Sequence, residues 1–169
     1  IKTMNVTFGG KTVTLEGEQV KVGSTAPDFT ALGTDLKPVK LSDFGKKVKL
    51  ISVFPSIDTE ICSIQNHRFN NEASSFGDKV AFIAISNDLP FALKRFCGAE
   101  KITNLTTLSD HKDVDFGKKF GFLIKELRLL TRGVIILDKD NKVQYVEIVP
   151  EIASEPNYTE AIARLKQLV

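Results

Sequence analysis

Cys62, with Thr59 and Pro55 upstream, has the residue types and spacing for thiol redox chemistry. Thr59 precedes Cys62 by three residues, one helical turn, and Pro55 stands four residues before Thr59. A thiol near the start of a helix meets unpaired backbone N–H groups and the positive end of the helix dipole, which favour its anionic thiolate form. The Thr59 hydroxyl could then lie beside the sulfur, donate to it and hold an oxygen of a bound oxidant. Pro55 lacks an N–H and could shield that side of the pocket.

A buried strand and the helix after it must position this thiol. Residues 47–54 are β-branched and mostly apolar, which predicts a strand buried on both faces and ended by Pro55. Sites in open α/β sheets lie at the carboxyl ends of such strands, where helices begin. The predicted helix begins around Thr59 and ends at Gly77. Its apolar stripe consists of Ile61, Ile64, Phe69, Ala73 and Phe76.

The remaining pattern predicts an α/β fold with a mixed sheet. Further strands are predicted at residues 80–86, 106–109, 133–137 and 142–148, and further helices at 90–96 (closed by Gly98), 114–120 and 158–168. Gly9 and Gly10 predict a tight N-terminal β-hairpin. Parallel β-α-β units followed by an antiparallel hairpin and a last helix are typical of a thioredoxin-like fold. We therefore expect a mixed central sheet flanked by helices, an added N-terminal β-hairpin, and a single domain over residues 1–169.

Composition excludes several classes of function. The chain has 169 residues, 42% of them hydrophobic, and a net charge of +2 with no basic run typical of nucleic-acid binding. No apolar stretch approaches the roughly 18 residues of a membrane span. Residues 1–5 lack the apolar core of a signal peptide, and two cysteines are too few for a disulfide scaffold. These features predict a cytoplasmic protein with neither nucleic-acid nor membrane partners.

The residues taken alone leave other interpretations open. Cysteine is often a buried, inert residue, and Thr59 and Pro55 could simply cap a helix and end a strand. A thioredoxin-type disulfide reductase is disfavoured because Gln65, not a second cysteine, stands three residues after Cys62. A cysteine hydrolase is disfavoured because His67 points about 140° away around the helix and His111 has no cue tying it to the sulfur. A non-catalytic redox sensor or binding module remains possible.

The segment from Pro55 to Cys62, which reads P-S-I-D-T-E-I-C, resembles the peroxidatic motif of the peroxiredoxins. Together with R-F-C-G-A at residues 95–99, it is similar to the bacterial thiol peroxidase branch of atypical two-cysteine peroxiredoxins. The resemblance covers nearly the whole chain, including residues 26–29, 86–92, 108–111 and 125–130. It is therefore specific to the branch and not only to the fold.

The resemblance implies a thiol-dependent peroxidase that serves antioxidant defence. In it, Cys62 is the peroxidatic cysteine, Cys97 the resolving cysteine, and Thr59 and Pro55 shape the pocket. Arg132 matches an arginine that would stabilise the thiolate and polarise the peroxide. Without the resemblance, Arg132 would be read as a surface charge at the start of a strand. Thioredoxin as reductant and a homodimer are also implied, whereas a cofactor or metal is not.

The implied cycle passes through a sulfenic acid on Cys62 and an intramolecular disulfide with Cys97, which thioredoxin then reduces. The branch with a resolving cysteine five residues along the helix is disfavoured because His67 occupies that position. A disulfide needs Cα atoms roughly 4.4–6.8 Å apart, which two cysteines on separate helices do not meet without movement. We therefore expect residues 88–98 and the first turn around Cys62 to unwind on oxidation. The preferred hydroperoxide stays open.

Overall fold

The computed structural model describes residues 4–169, so the expectation for residues 1–3 of the N-terminus lies outside it. The strands are β1 (Met4–Phe8), β2 (Lys11–Glu16), β3 (Thr30–Gly33), β4 (Pro38–Lys40), β5 (Val48–Val53), β6 (Val80–Ser86), β7 (Thr106–Ser109), β8 (Leu123–Ile124), β9 (Leu129–Leu130), β10 (Gly133–Leu137) and β11 (Val143–Ile148). The helices are α1 (Glu60–Ala73), α2 (Pro90–Glu100), α3 (Asp115–Phe120) and α4 (Tyr158–Leu168), with short 3-10 helices at Leu41–Phe44 and Gly77–Lys79.

Seven strands form the central sheet in the order β11-β10-β5-β6-β7-β3-β4. The β5, β6 and β7 strands run parallel, whereas β10 is antiparallel to β5 and β11 is antiparallel to β10. This is the predicted mixed, thioredoxin-like sheet. The central strand β5 is buried on both faces because its neighbouring residues enter different cores: Leu50 packs in the cluster with Phe69 of α1, and Ile51 in the cluster with Phe116 of α3. None of the helices in residues 4–169 is long and apolar enough to cross a membrane.

The predicted N-terminal hairpin is present, and it belongs to a second sheet that the sequence pattern did not predict. The β2 strand of the hairpin pairs with β8, and β8 pairs with β9, which gives a four-stranded sheet in the order β1-β2-β8-β9. Strands of two residues carry too little alternation to be recognised, and the same holds for the short β3 and β4. Val6 and Leu15 of the hairpin pack with Ile124 and Ile152 in a separate small core. The hairpin is therefore fastened to the rest of the molecule on both its edges.

The prediction for the buried face of α1 is confirmed for Phe69, Ala73 and Phe76 and wrong for Ile64, while Ile61 is only partly buried. Ile64 is 40% exposed, and the helix turns a mixed face inward that consists of Cys62, Gln65, Asn66, Phe69, Asn70 and Ala73. Polar residues lie on this face because each finds a hydrogen-bond partner; Asn66, for example, donates to the carbonyl of Cys62 (2.8 Å). The helix also ends at Ala73, before the expected Gly77, where the Ser74 hydroxyl donates to the carbonyl of Asn71.

Gly98 does not close α2, contrary to prediction. The helix continues to Glu100, and Lys101 adopts the left-handed conformation (φ 57°) that ends it. The backbone N–H groups of Lys101 and Ile102 both bond to the carbonyl of Cys97. Cys97 therefore sits inside a capped helix and not at its frayed end.

Candidate active site

Cys62 is the third residue of α1, at the carboxyl end of β5, as the sequence predicts. Thr59 is the N-cap residue in an extended conformation (φ −104°, ψ 150°), and Pro55 is buried in the loop between strand and helix. Asp88 fastens this loop to the carboxyl end of β6, since its carboxylate accepts from the Ile57 N–H (2.8 Å) and the Ser56 hydroxyl (3.1 Å). The thiol thus lies in the first turn of a helix, and the loop that leads into this helix is held by β5 and by Asp88.

The sulfur of Cys62 contacts a guanidinium in an otherwise apolar environment. Arg132 Nη1 donates to Cys62 Sγ at 3.3 Å, and Arg132 is only 3% exposed. Apolar side chains surround the sulfur: Phe54, Ile57, Ala84 and Leu93. The guanidinium is placed to stabilise negative charge that develops on the sulfur, and the low-dielectric surroundings strengthen the attraction between opposite charges. Because Cys62 itself is fully buried, an oxidant reaches the sulfur only when a neighbouring segment moves.

Arg132 is held by two further acceptors. Its Nε donates to the carbonyl of Ile152 (2.7 Å), and its Nη1 also donates to Gln65 Oε1 (2.9 Å). Gln65 is held in turn, because its Nε2 donates to the Ser52 hydroxyl (2.7 Å) and to the carbonyl of Val53 (3.1 Å). Three acceptors, two on α1 and one in the turn at Ile152, therefore fix the plane of the guanidinium.

Sequence reasoning did not identify Gln65 as part of the site, although a signal was present. Gln65 follows Cys62 by three residues and so lies on the same face of the helix. A fully buried glutamine needs partners for both its amide nitrogen and its oxygen, and a buried arginine supplies one of them. Asp88 and Ile152 were also missed, and for Ile152 only a backbone carbonyl is involved, which no side-chain pattern reveals.

Thr59 differs from the expectation for its hydroxyl. Among the hydrogen bonds of residues 4–169, the Thr59 hydroxyl donates to the carbonyl of Ser56 (3.0 Å) and not to the sulfur, and the side chain is exposed. A hydroxyl that closes a local turn before a helix is a common alternative for threonine. Arg132, not Thr59, therefore supplies the polar contact to the sulfur in this conformation.

Cys97 is not joined to Cys62, since both thiols are free. Its sulfur is 3.4 Å from the Thr107 hydroxyl on β7. Two side-chain contacts fasten α2, which carries Cys97, to the segment that carries Cys62: the ion pair of Arg95 with Asp58 (3.4 Å) and the hydrogen bond between Glu100 and His67 Nε2 (3.0 Å).

His67 is half-exposed at the seam between α1 and α2, where its ring also lies edge-on to Phe96 (6.0 Å between centroids). It therefore links the two helices. His111 lies in the turn after Asp110, where its N–H donates to the Ser109 hydroxyl. Within residues 4–169, no group of three or more His, Cys, Asp or Glu side chains is arranged to hold a metal ion.

A buried cysteine beside an arginine, at the start of a helix on a thioredoxin-like sheet, defines a thiol-based oxidoreductase. The model of the Redoxin family matches residues 21–162. The thiol peroxidase of Bacillus subtilis strain 168 is 52% identical over 164 residues, which are 97% of this chain and 98% of that protein. The thiol peroxidase of Oceanobacillus iheyensis is 50% identical over 163 residues, or 96% and 99% of the two chains.

Solved structures agree with this grouping. A peroxiredoxin-like protein from Aquifex aeolicus superposes with a TM-score of 0.91 at 37% identity, covering 100% of both chains. The thiol peroxidase from Chromobacterium violaceum shares the fold, with a TM-score of 0.86 at 24% identity over 97% of this chain and 95% of that one. The chain therefore belongs to the Redoxin family, among its thiol-dependent peroxidases. The predicted resemblance to the peroxiredoxins is confirmed.

Proposed function

We propose that this chain acts as a single domain that reduces hydrogen peroxide and organic hydroperoxides, with Cys62 as peroxidatic and Cys97 as resolving cysteine. The observation on which the proposal depends is the 3.3 Å contact between Arg132 Nη1 and Cys62 Sγ in the first turn of α1. The guanidinium and the helix N-terminus together favour the thiolate, which is the form of cysteine that attacks peroxides.

In the first step, the Cys62 sulfur bonds to one peroxide oxygen while the O–O bond breaks. The departing oxygen takes up a proton and leaves as water or an alcohol, and the sulfur is oxidised to a sulfenic acid. Arg132 stabilises the negative charge as it spreads over sulfur and both oxygens. We propose that Pro55 and Thr59 shape the pocket at the sulfur and that the Thr59 hydroxyl turns from the Ser56 carbonyl to the peroxide when substrate enters.

In the second step, the Cys97 thiolate displaces hydroxide from the sulfenic sulfur, which forms the disulfide and releases water. The contact of Cys97 with Thr107 must break first, and the contacts of Arg95 with Asp58 and of Glu100 with His67 must open. We propose that α2 and the first turn of α1 unwind in this step. A dithiol reductant, thioredoxin, then restores both thiols and is itself oxidised to a disulfide. With only two cysteines, both required as thiols, the cycle suits the reducing cytoplasm.

Titration of free thiols with one equivalent of hydrogen peroxide tests this cycle. The reduced protein should lose both of its thiols, because each peroxide oxidises Cys62 and the disulfide then consumes Cys97. Proteolysis without reduction should yield one peptide pair joined through Cys62 and Cys97. Loss of only one thiol, or a disulfide between two chains, would contradict the intramolecular step.

We further propose a homodimer, supported by exposed apolar side chains beside the site. Leu89 and Phe91 at the start of α2 are 54% and 66% exposed, and Leu127 lies nearby because Asn87 donates to the carbonyl of Arg128. A two-fold contact would cover the same patch on both copies.

Sedimentation of the Phe91→Glu variant tests this dimer. We expect the variant to sediment as a monomer, because the two-fold contact would bury a negative charge from each copy, and these like charges would repel each other. Val22→Glu is the matched control, a similarly exposed apolar residue in the loop between β2 and β3, and it should leave the dimer intact. A monomeric wild-type chain, or a dimeric Phe91→Glu variant, would contradict the proposal.

A further inference from the structure

Glu151 binds the tip of the N-terminal hairpin, although the two are far apart in the sequence. Its carboxylate accepts from the Gly10 N–H (2.9 Å), the Gly9 N–H (3.2 Å) and the Thr7 hydroxyl (3.1 Å). It also accepts from the N–H of Ala153 two residues on (2.7 Å). These donors, led by Ala153 and Gly10, lower the pKa of Glu151 to about 2, so the carboxylate is ionised at neutral pH and only accepts.

The backbone beside Glu151 is held by the same hairpin. The Thr7 N–H donates to the carbonyl of Pro150 (2.8 Å), and the Ile152 N–H donates to the carbonyl of Thr7 (2.8 Å). The Ile152 side chain is fully buried in the core of the hairpin, against Val6 and Leu15. The turn at residues 150–153 therefore has its position set by the hairpin, with the Glu151 carboxylate as the polar fastening.

The carbonyl of Ile152 connects this turn to the active site. It accepts from Arg132 Nε at 2.7 Å, and it is the one acceptor for that nitrogen within residues 4–169. At the other end of the guanidinium, Nη1 donates to both Cys62 Sγ and Gln65 Oε1. Because the guanidinium is planar, a shift of the Ile152 carbonyl rotates Nη1 away from the sulfur.

We propose that Glu151 is a positioning residue for peroxide reduction, which fixes the Ile152 carbonyl against the hairpin so that Arg132 points at the Cys62 sulfur. It acts through Ile152 and Arg132 and touches no reacting atom. The inference rests on the proposed function of Cys62 and adds a task for the N-terminal hairpin, which otherwise lies outside the site.

The chain offers a matched control in Glu126. Its carboxylate also accepts a hydrogen bond from the hairpin, from the Thr14 N–H (2.9 Å), and donation by Thr14 lowers the pKa of Glu126 as well. Glu126 lies in the turn between β8 and β9, and its contact is on β2 and not on the edge that holds Ile152. A purely structural role for hairpin fastening would make the two glutamates equivalent.

Single-turnover oxidation of Cys62 by hydrogen peroxide, in a Cys97→Ser background, tests the proposal. Glu151→Ala should slow the reaction about tenfold. Displacing a catalytic group by about 1 Å can cost about a hundredfold in rate, and we expect a smaller displacement of Arg132 here. The ultraviolet absorbance of the Cys62 thiolate near neutral pH should fall with it. Glu126→Ala should stay within about twofold of its parent in both readouts, whatever both variants lose in thermal stability. Glu151→Gln keeps one acceptor oxygen and should recover part of the rate.

Distinct outcomes separate this inference from the proposed function. If Cys62 in the parent protein does not react with peroxide, the proposed function fails. If the parent reacts and a folded Glu151→Ala or Glu151→Gln keeps both its rate and its thiolate absorbance, only the positioning role is overturned. Equal slowing in Glu126→Ala overturns it too, because hairpin stability alone would then explain the effect. Should Glu151→Ala not fold, Glu151→Gln decides alone.

Discussion

Replacing Cys62 with serine will abolish peroxide turnover, with a loss of about a thousandfold or more, the scale on which removal of a catalytic nucleophile acts. A serine hydroxyl remains protonated where the Cys62 sulfur is stabilised by Arg132 and the helix N-terminus, and oxygen is a poor nucleophile towards an O–O bond. The measurement is hydrogen peroxide and cumene hydroperoxide consumption coupled to thioredoxin, thioredoxin reductase and NADPH.

Cys97→Ser is the matched variant for this experiment, because it removes the other thiol of the chain and leaves the Arg132 contact untouched. It should consume one equivalent of peroxide, leave a sulfenic acid on Cys62 that dimedone traps, and then stop in the thioredoxin-coupled assay. Turnover that survives in Cys62→Ser would end the proposed mechanism. Full thioredoxin-coupled turnover in Cys97→Ser would remove only the resolving role.

The strand-to-helix junction at Cys62 could be predicted because its signals are local. An apolar β-branched run, a proline and a cluster of helix-starting residues place a strand end and a helix start within a few residues. The strands β6, β7 and β10 and the helix α4 have the predicted bounds for the same reason. Elements of two to four residues, such as β8 and β9, exist only because other strands pair with them, and their own sequence is too short to indicate them.

The environment of the sulfur could not be predicted, because long-range hydrogen bonds determine it. Hydrophobicity correctly predicts that Phe69 and Ala73 of α1 face inward, but it also predicts this of Ile64, which is exposed, whereas the polar Gln65 lies inside. Gln65 is stable there only because Ser52 and Arg132 supply partners, and Arg132 is distant in the chain. Full burial of Cys62 follows from this packing, so access of peroxide depends on movement, which residue types near the motif do not reveal.

Substitution of Arg132 is expected to have the second largest effect. Arg132→Met should slow single-turnover oxidation of Cys62 about a hundredfold, because it removes the cation that stabilises both the thiolate and the charge on the peroxide. Arg132→Lys should restore little, since one ammonium group cannot reach the Ile152 carbonyl, Gln65 and the sulfur with the planar geometry of a guanidinium. Stopped-flow measurement with hydrogen peroxide in the Cys97→Ser background isolates this step.

Gln65→Leu and Arg128→Met complete the series around Arg132. Gln65→Leu keeps the cation but removes one of its acceptors and leaves the Ser52 hydroxyl without its partner, so we expect an intermediate loss of about tenfold. Arg128→Met removes the same charge from an exposed position and should leave the rate unchanged, which separates local contact from net charge. If Arg132→Met oxidised as fast as its parent, the guanidinium would be only a buried structural cation. The helix N-terminus would then have to activate the sulfur alone, a role worth at most about 2 kcal/mol.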